Sequence, residues 1–354
     1  MEFYSLLQGV IEVSISLVTG LLIFFTSFKV FTILTRDIDE VEQLKKNNIA
    51  VALLVSSFVF GIMLMVKSSI APAVEALSLA IHKGAGGSIL NSVLRVLIIY
   101  VVAAVFAFIV IWISLKVFMI LTKDIDEMEE IGKNNYSIAL VLTSLIASIA
   151  LIMSKPLETI LQSAVPMKFA AANAPLIEKN LLMAGAIQML ISFFGVIFIL
   201  FISLKTFDLL TRNIDETAEL KSNNFAVSVL LSAFLFSMML IMQGPIGSAN
   251  GTLLLSLQQK AGIAGISIAI GKILLYFIMA AVFSFIVLWI AMKAFMMLTS
   301  TIDEMTEIKN NKTAVSIVIA VLLISTALLV ASGLPSLLEG IVPLNRILTN
   351  IPKP

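Results

Sequence analysis

The chain has 354 residues, of which 60% are hydrophobic and 13% charged; its mean hydropathy is +1.08 and its formal net charge +1. Soluble domains carry roughly a quarter of their residues as charged side chains, so an ordinary soluble domain is excluded, and the near-neutral balance argues against nucleic acid or another polyanion as partner. There is no cysteine, hence no disulfide framework, thiolate metal site or thiol chemistry.

Eight apolar runs follow one another, at 6–25, 49–66, 89–112, 136–153, 181–201, 225–242, 266–289 and 313–331. Each is near the roughly 20 residues that an α-helix needs to cross a hydrocarbon core about 30 Å thick. A β-barrel would show short alternating segments instead. The opening run has no basic segment before it and aligns with the later first helices, so it is expected to be a retained span and not a cleaved signal. The predicted fold is an all-α integral membrane protein with eight transmembrane helices, paired as four parallel helical-hairpin repeats.

The repeats show in the stretch between the two runs of each pair. Lys29 recurs as Lys116, Lys205 and Lys293, at steps of 87, 89 and 88 residues, and Asp39-Glu40 recurs as Asp126-Glu127, Asp215-Glu216 and Asp303-Glu304. Repeats two and four share AAVF-FIV-WI sequences, which points to a duplicated two-hairpin unit of about 177 residues. The halves divide as 1–165 and 166–354, inside the Pro- and Ala-rich segment 155–180, within one membrane-embedded unit. An even number of spans places both termini on one side and all four linkers on the other. The linker side holds 13 Lys and Arg against 10 opposite, so cytoplasmic linkers and external termini are expected. Pro72, Pro156, Pro245 and Pro335 are expected to stop the second helices, and the short apolar pieces after them to lie at the interface.

The aromatic position Phe25, Trp112, Phe201, Trp289 precedes each repeated lysine by four residues, as in an interfacial belt followed by a snorkelling cation. That placement leaves about 20 residues in each linker; a boundary near Thr35 would instead put the lysines within the span. Lys29, Lys116, Lys205 and Lys293 then either reach the headgroups or converge as a ring that attracts anions. Asp208 stands one turn after Lys205, as an ion-pair partner or as an intramembrane acid in a relay. Within the linkers, Asp37, Asp124, Asn213 and Thr301 are candidate N-caps, each followed three residues later by Glu40, Glu127, Glu216 or Glu304 in a capping-box pattern. Asn47 and its counterparts close the turn. Asp37, Asp39, Glu40 and Glu42 are the alternative, a hard-oxygen site for a divalent cation.

The second helices carry small residues at helical spacing: Ser57 and Gly61, Ser144 and Ser148, Ala233 and Ser237, with Ser325 in the fourth. Apolar burial drives little helix association in lipid, and close approach at small residues supplies packing instead; the same hydroxyls could also line a pore. His82 lies in a glycine-rich loop as a solvated residue. The chain has no HExxH, GxSxG or phosphate-binding glycine loop, so neither enzyme activity nor a cofactor is expected.

Thr35, Ile38, Asp39, Glu40, Asn48 and Ala50, with Asn135 and Asn224 in the next two copies, resemble a bacterial membrane family catalogued as domain of unknown function 350. Lys312 departs from it where the second Asn is expected, and Gly61 is the glycine that survives along helices the family makes glycine-rich. The resemblance implies a multi-span helical fold in a bacterial inner membrane and brings no established activity. Two functions fit these residues. One is a structural or assembly scaffold that presents four charged linkers to a cytoplasmic protein or to further copies in the bilayer. The alternative is a channel or transporter with an axial path between the hairpins.

Overall fold

A computed structural model describes residues 2–35, 39–67, 86–164, 179–211, 214–258, 262–299 and 301–344. The described residues contain helices and no strand. A long helix, a six-residue helix and a second long helix follow one another four times: α1 (Glu2–Leu34), α2 (Glu40–Lys45) and α3 (Ile49–Lys67); α4 (Gly86–Leu121), α5 (Glu127–Gly132) and α6 (Tyr136–Ala164); α7 (Lys179–Leu210), α8 (Glu216–Lys221) and α9 (Phe225–Gln258); α10 (Gly262–Leu298), α11 (Glu304–Lys309) and α12 (Thr313–Ala331). A last helix, α13, spans Leu334–Ile341. Among the described residues seven helices are long and apolar enough to cross a membrane, and α1 contributes a shorter apolar stretch at Ser16–Thr32. The protein is therefore a multi-pass, all-helical membrane protein.

The second helices form a row in the order α3, α6, α9, α12, each packed on the next. The first helices form a second layer: α4 rests on α3 and α6, α7 on α6 and α9, and α10 on α9 and α12, while α1 rests on α3. The core lies in the row of second helices, where Phe58, Ile62, Leu142, Ile146, Phe234 and Met238 are fully buried.

Two expectations are corrected here. The first helices run on to Leu34, Leu121, Leu210 and Leu298, so each lysine lies inside its helix and the linker is a short connector. Apolar residues on both sides of the lysine, such as Phe28 and Val30, keep the helical pattern unbroken. Secondly, α6 runs through Pro156 and α9 through Pro245; Pro335 lies in the first turn of α13, after α12 has ended at Ala331. A proline removes one ladder hydrogen bond, which packed neighbours and small local adjustments make tolerable inside a membrane helix. Pro72, His82 and the division at 165 and 166 lie outside the described residues.

Candidate functional site

Each linker is built from the same four devices. The threonine after the first helix, Thr35, Thr122, Thr211 or Thr299, keeps its hydroxyl on the carbonyl four residues back, at 2.8 to 2.9 Å, and also meets the carboxylate of Glu40, Glu127, Glu216 or Glu304. An aspartate, Asp39, Asp126, Asp215 or Asp303, caps the short helix by accepting a backbone N–H at 2.9 to 3.3 Å. An asparagine then turns the chain at φ 57, 65, 61 or 60°: Asn47, Asn134, Asn223, Asn311. This left-handed conformation suits Asn better than most side chains. In the first three linkers a second asparagine caps the following long helix. Asn48, Asn135 and Asn224 accept the amides of Val51, Ile138 and Val227 at 3.0 to 3.2 Å.

These asparagines also join each linker to the next. Asn48 donates to the carbonyls of Ile131 at 3.1 Å and Gly132 at 3.3 Å, which end α5. In return Asn134 accepts the amide of Ala50 at 3.2 Å, at the start of α3. The pattern repeats from Asn135 to Leu220 and Lys221, with Asn223 accepting from Ser137, and from Asn224 to Ile308 and Lys309, with Asn311 accepting from Ala226. Helix ends leave unpaired donors and acceptors; here the C-terminal carbonyls of one short helix and an N-terminal amide of the preceding long helix satisfy each other through two carboxamides. The side chain five residues before the asparagine, Gln43, Glu130 or Glu219, accepts from the same amide at 2.7 to 3.0 Å. The result is a directional ladder from the first linker to the fourth.

The ladder has electrostatic consequences. Burial pushes the carboxyls of Glu127 and Glu216 above the ordinary value, although the threonine hydrogen bond pulls the other way. Asp208 and Asp215 add to the rise at Glu216. The Asn135 amide holds Glu130 below its ordinary value, with Lys133 and, across the ladder, Lys221 contributing.

Several sequence-predicted residues take different places. The cap is the aspartate two positions after the expected one. Asp124 and Thr301 precede Asp126 and Asp303, which do the capping, and Asp37 and Asn213 lie outside the described residues. The glutamates therefore stand at the first helical position and not the third, and their partner is a threonine side chain and not the cap amide. Asp39 caps, Glu40 faces Thr35 and Glu42 pairs with Lys46; no three potential ligands cluster among the described residues. Lys29, Lys116, Lys205 and Lys293 are all exposed. Lys205 and Asp208 are both exposed and form no ion pair.

Of the small residues, Ser57, Gly61, Ser148, Ala233 and Ser237 are buried and Ser144 is half-buried. Ser325 is exposed, and among the described residues no second helix follows α12 in the row. Sequence reasoning passed over Gly185, where an added Cβ would stand 2.8 Å from the backbone nitrogen of Ile160, and Gly244, where it would stand 2.5 Å from Pro335. It also read the paired asparagines as turn markers. Their recurrence at one spacing was the available signal, but contacts between linkers some 85 residues apart are invisible to local pattern.

The family model described as Domain of Unknown Function (DUF350) matches the chain three times, at residues 5–103, 88–172 and 180–334. Comparison with curated proteins and with solved structures gives no match.

Proposed function

The chain belongs to the Domain of Unknown Function (DUF350) family, and we propose that it is a non-enzymatic membrane scaffold of eight spans in four parallel hairpins, with its linkers on the cytoplasmic side of a bacterial inner membrane. Here α1 counts as the eighth span. The observation that carries this reading is the asparagine ladder, which joins four short polar helices into one continuous rim. A rim of that kind offers a repeated surface to a cytoplasmic protein or organises further copies. Its outward face carries Asp39, Glu42 and Lys46, then Asp126, Glu129 and Lys133, then Asp215 and Lys221, then Asp303 and Lys309, all exposed. Glu40, Glu127 and Glu304 are buried and belong to the frame. An axial path has less support, because the second helices stand in a row and the lysines are exposed.

The test replaces Glu42, Lys46, Glu129 and Lys133 together with glutamine. These are surface ion pairs, each worth little to stability, so folding should be unchanged by circular dichroism. Recovery of cross-linked partners or higher assemblies from native membranes should fall at least about tenfold, the scale of 1.4 kcal/mol. A folded variant with undiminished assemblies overturns the scaffold.

A further inference from the structure

We infer that the first hairpin carries a docking edge for a hairpin of a separate family chain, one whose linker ends in two asparagines, and that the fourth hairpin of this chain is shaped not to fill it. The inference deepens the scaffold reading but concerns association within the membrane, so its failure would leave recruitment by the linker rim untouched.

Three internal interfaces define what such an edge looks like. In each, the receiving linker offers two carbonyls at the end of its short helix, an asparagine carboxamide held at positive φ, and an apolar side chain that the preceding hairpin buries. That side chain is Ile131, Leu220 or Ile308, at 0, 6 and 0% exposure. The first linker has all of these. Leu44 occupies the equivalent position at 41% exposure, Val41 beside it is 52% exposed, and Asn47 has a φ similar to that of its counterparts with its side chain exposed. Among the described residues no side-chain amide reaches the Leu44 or Lys45 carbonyl, and no helix amide reaches Asn47.

The opposite end of the row departs at the positions that matter. Lys312 replaces the donating asparagine, makes no side-chain cap bond, and pairs with Glu307, the residue equivalent to those that orient the asparagine amides elsewhere. Val321 replaces Ser57, Ser144 and Ala233, where the row needs a small residue, and is exposed. In a head-to-tail pair of this chain the Lys312 ammonium would also face Lys45 and Lys46 of the next copy, a like-charge contact. A hairpin with asparagine at that position brings the carboxamide that the carbonyls accept and no added charge. The internal interfaces therefore continue at the first edge for an asparagine-bearing partner and stop at the fourth for this chain itself.

The chain can serve as its own probe. A full-length variant with Lys312→Asn and Val321→Ala restores the donating edge, and Asn47→Gly in the same variant removes its receiving carboxamide while keeping the left-handed turn. Mixed with wild type in detergent or nanodiscs, this triple variant should form a one-to-one complex by native mass spectrometry. Its apparent affinity should exceed wild-type self-association at least tenfold, and the complex should be lost when the wild-type partner carries Asn47→Gly. Absence of the complex with a triple variant that melts cooperatively overturns the docking edge. Head-to-tail multimers of wild type that depend on Asn47 overturn the role given to Lys312 and Val321. If the triple variant does not fold, Lys312→Asn with Asn47→Gly is used instead, and the same two outcomes decide.

Discussion

At the level of single residues, the threonine and glutamate pair poses a proton-counting problem. Thr122 has one hydroxyl proton and two acceptors within reach, the Phe118 carbonyl at 2.9 Å and the Glu127 carboxylate. An ionised glutamate would compete with the carbonyl for that proton, whereas a neutral one donates to the hydroxyl and leaves the hydroxyl proton for the carbonyl. Burial raises the Glu127 pKa in the same direction. A folded-state pKa above the ordinary 4.5 means that the folded chain binds the proton more tightly. The associated stability is complete below that value and is lost as pH rises through the folded pKa. Thermal melts from pH 4 upward should therefore show wild type losing stability relative to Glu127→Gln, which keeps a neutral donor at every pH. Parallel curves for the two proteins would show that Glu127 carries no such linkage.

At the level of elements, close approach governs the row of second helices. A Cβ built on Gly61 would stand 2.7 Å from Cγ2 of Ile146 and 3.1 Å from Cδ1 of Ile111, so α3 meets α6 and α4 there with no room for a side chain. Gly20 in α1 has nothing within 4 Å. Gly61→Val should cost about 1–3 kcal/mol through overpacking. Gly20→Ala should be neutral or stabilising, because alanine is favoured over glycine in a helix interior by about 1 kcal/mol. Denaturant or thermal unfolding in the same detergent measures both, and equal effects at the two sites would discount the close approach. The prolines teach a related lesson: Pro156 and Pro245 look like helix ends locally, yet the packed row carries both helices past them.

At the level of the whole molecule, the ladder fixes direction. Each bond runs from one linker to the next, which requires all four linkers at one end of the bundle. Single cysteines placed in this cysteine-free chain at Lys46, Lys133, Ser222 and Asn310 should all react with a membrane-impermeant maleimide from the same side of sealed vesicles. A cysteine at Ser332 should react from the other side. Mixed labelling among the four linker positions would contradict the parallel-hairpin arrangement.

The sequence by itself determined the helical membrane class, the spacing of the linkers, the presence of a short helix in each and the family, because hydropathy and repetition are local properties of the chain. It misplaced the caps by two residues, since Asp37 or Asp124 satisfies the same local pattern as Asp39 or Asp126, and only the register of the first helix decides between them. Tertiary structure alone decided that the glutamates face threonines, that the lysines are exposed, and that paired asparagines tie hairpins together. It also revealed the ends of the ladder. Asn47 has the same identity as Asn134 and a similar backbone angle, and among the described residues only the hairpin packed against Asn134, whose Ala50 amide it accepts, tells the two apart.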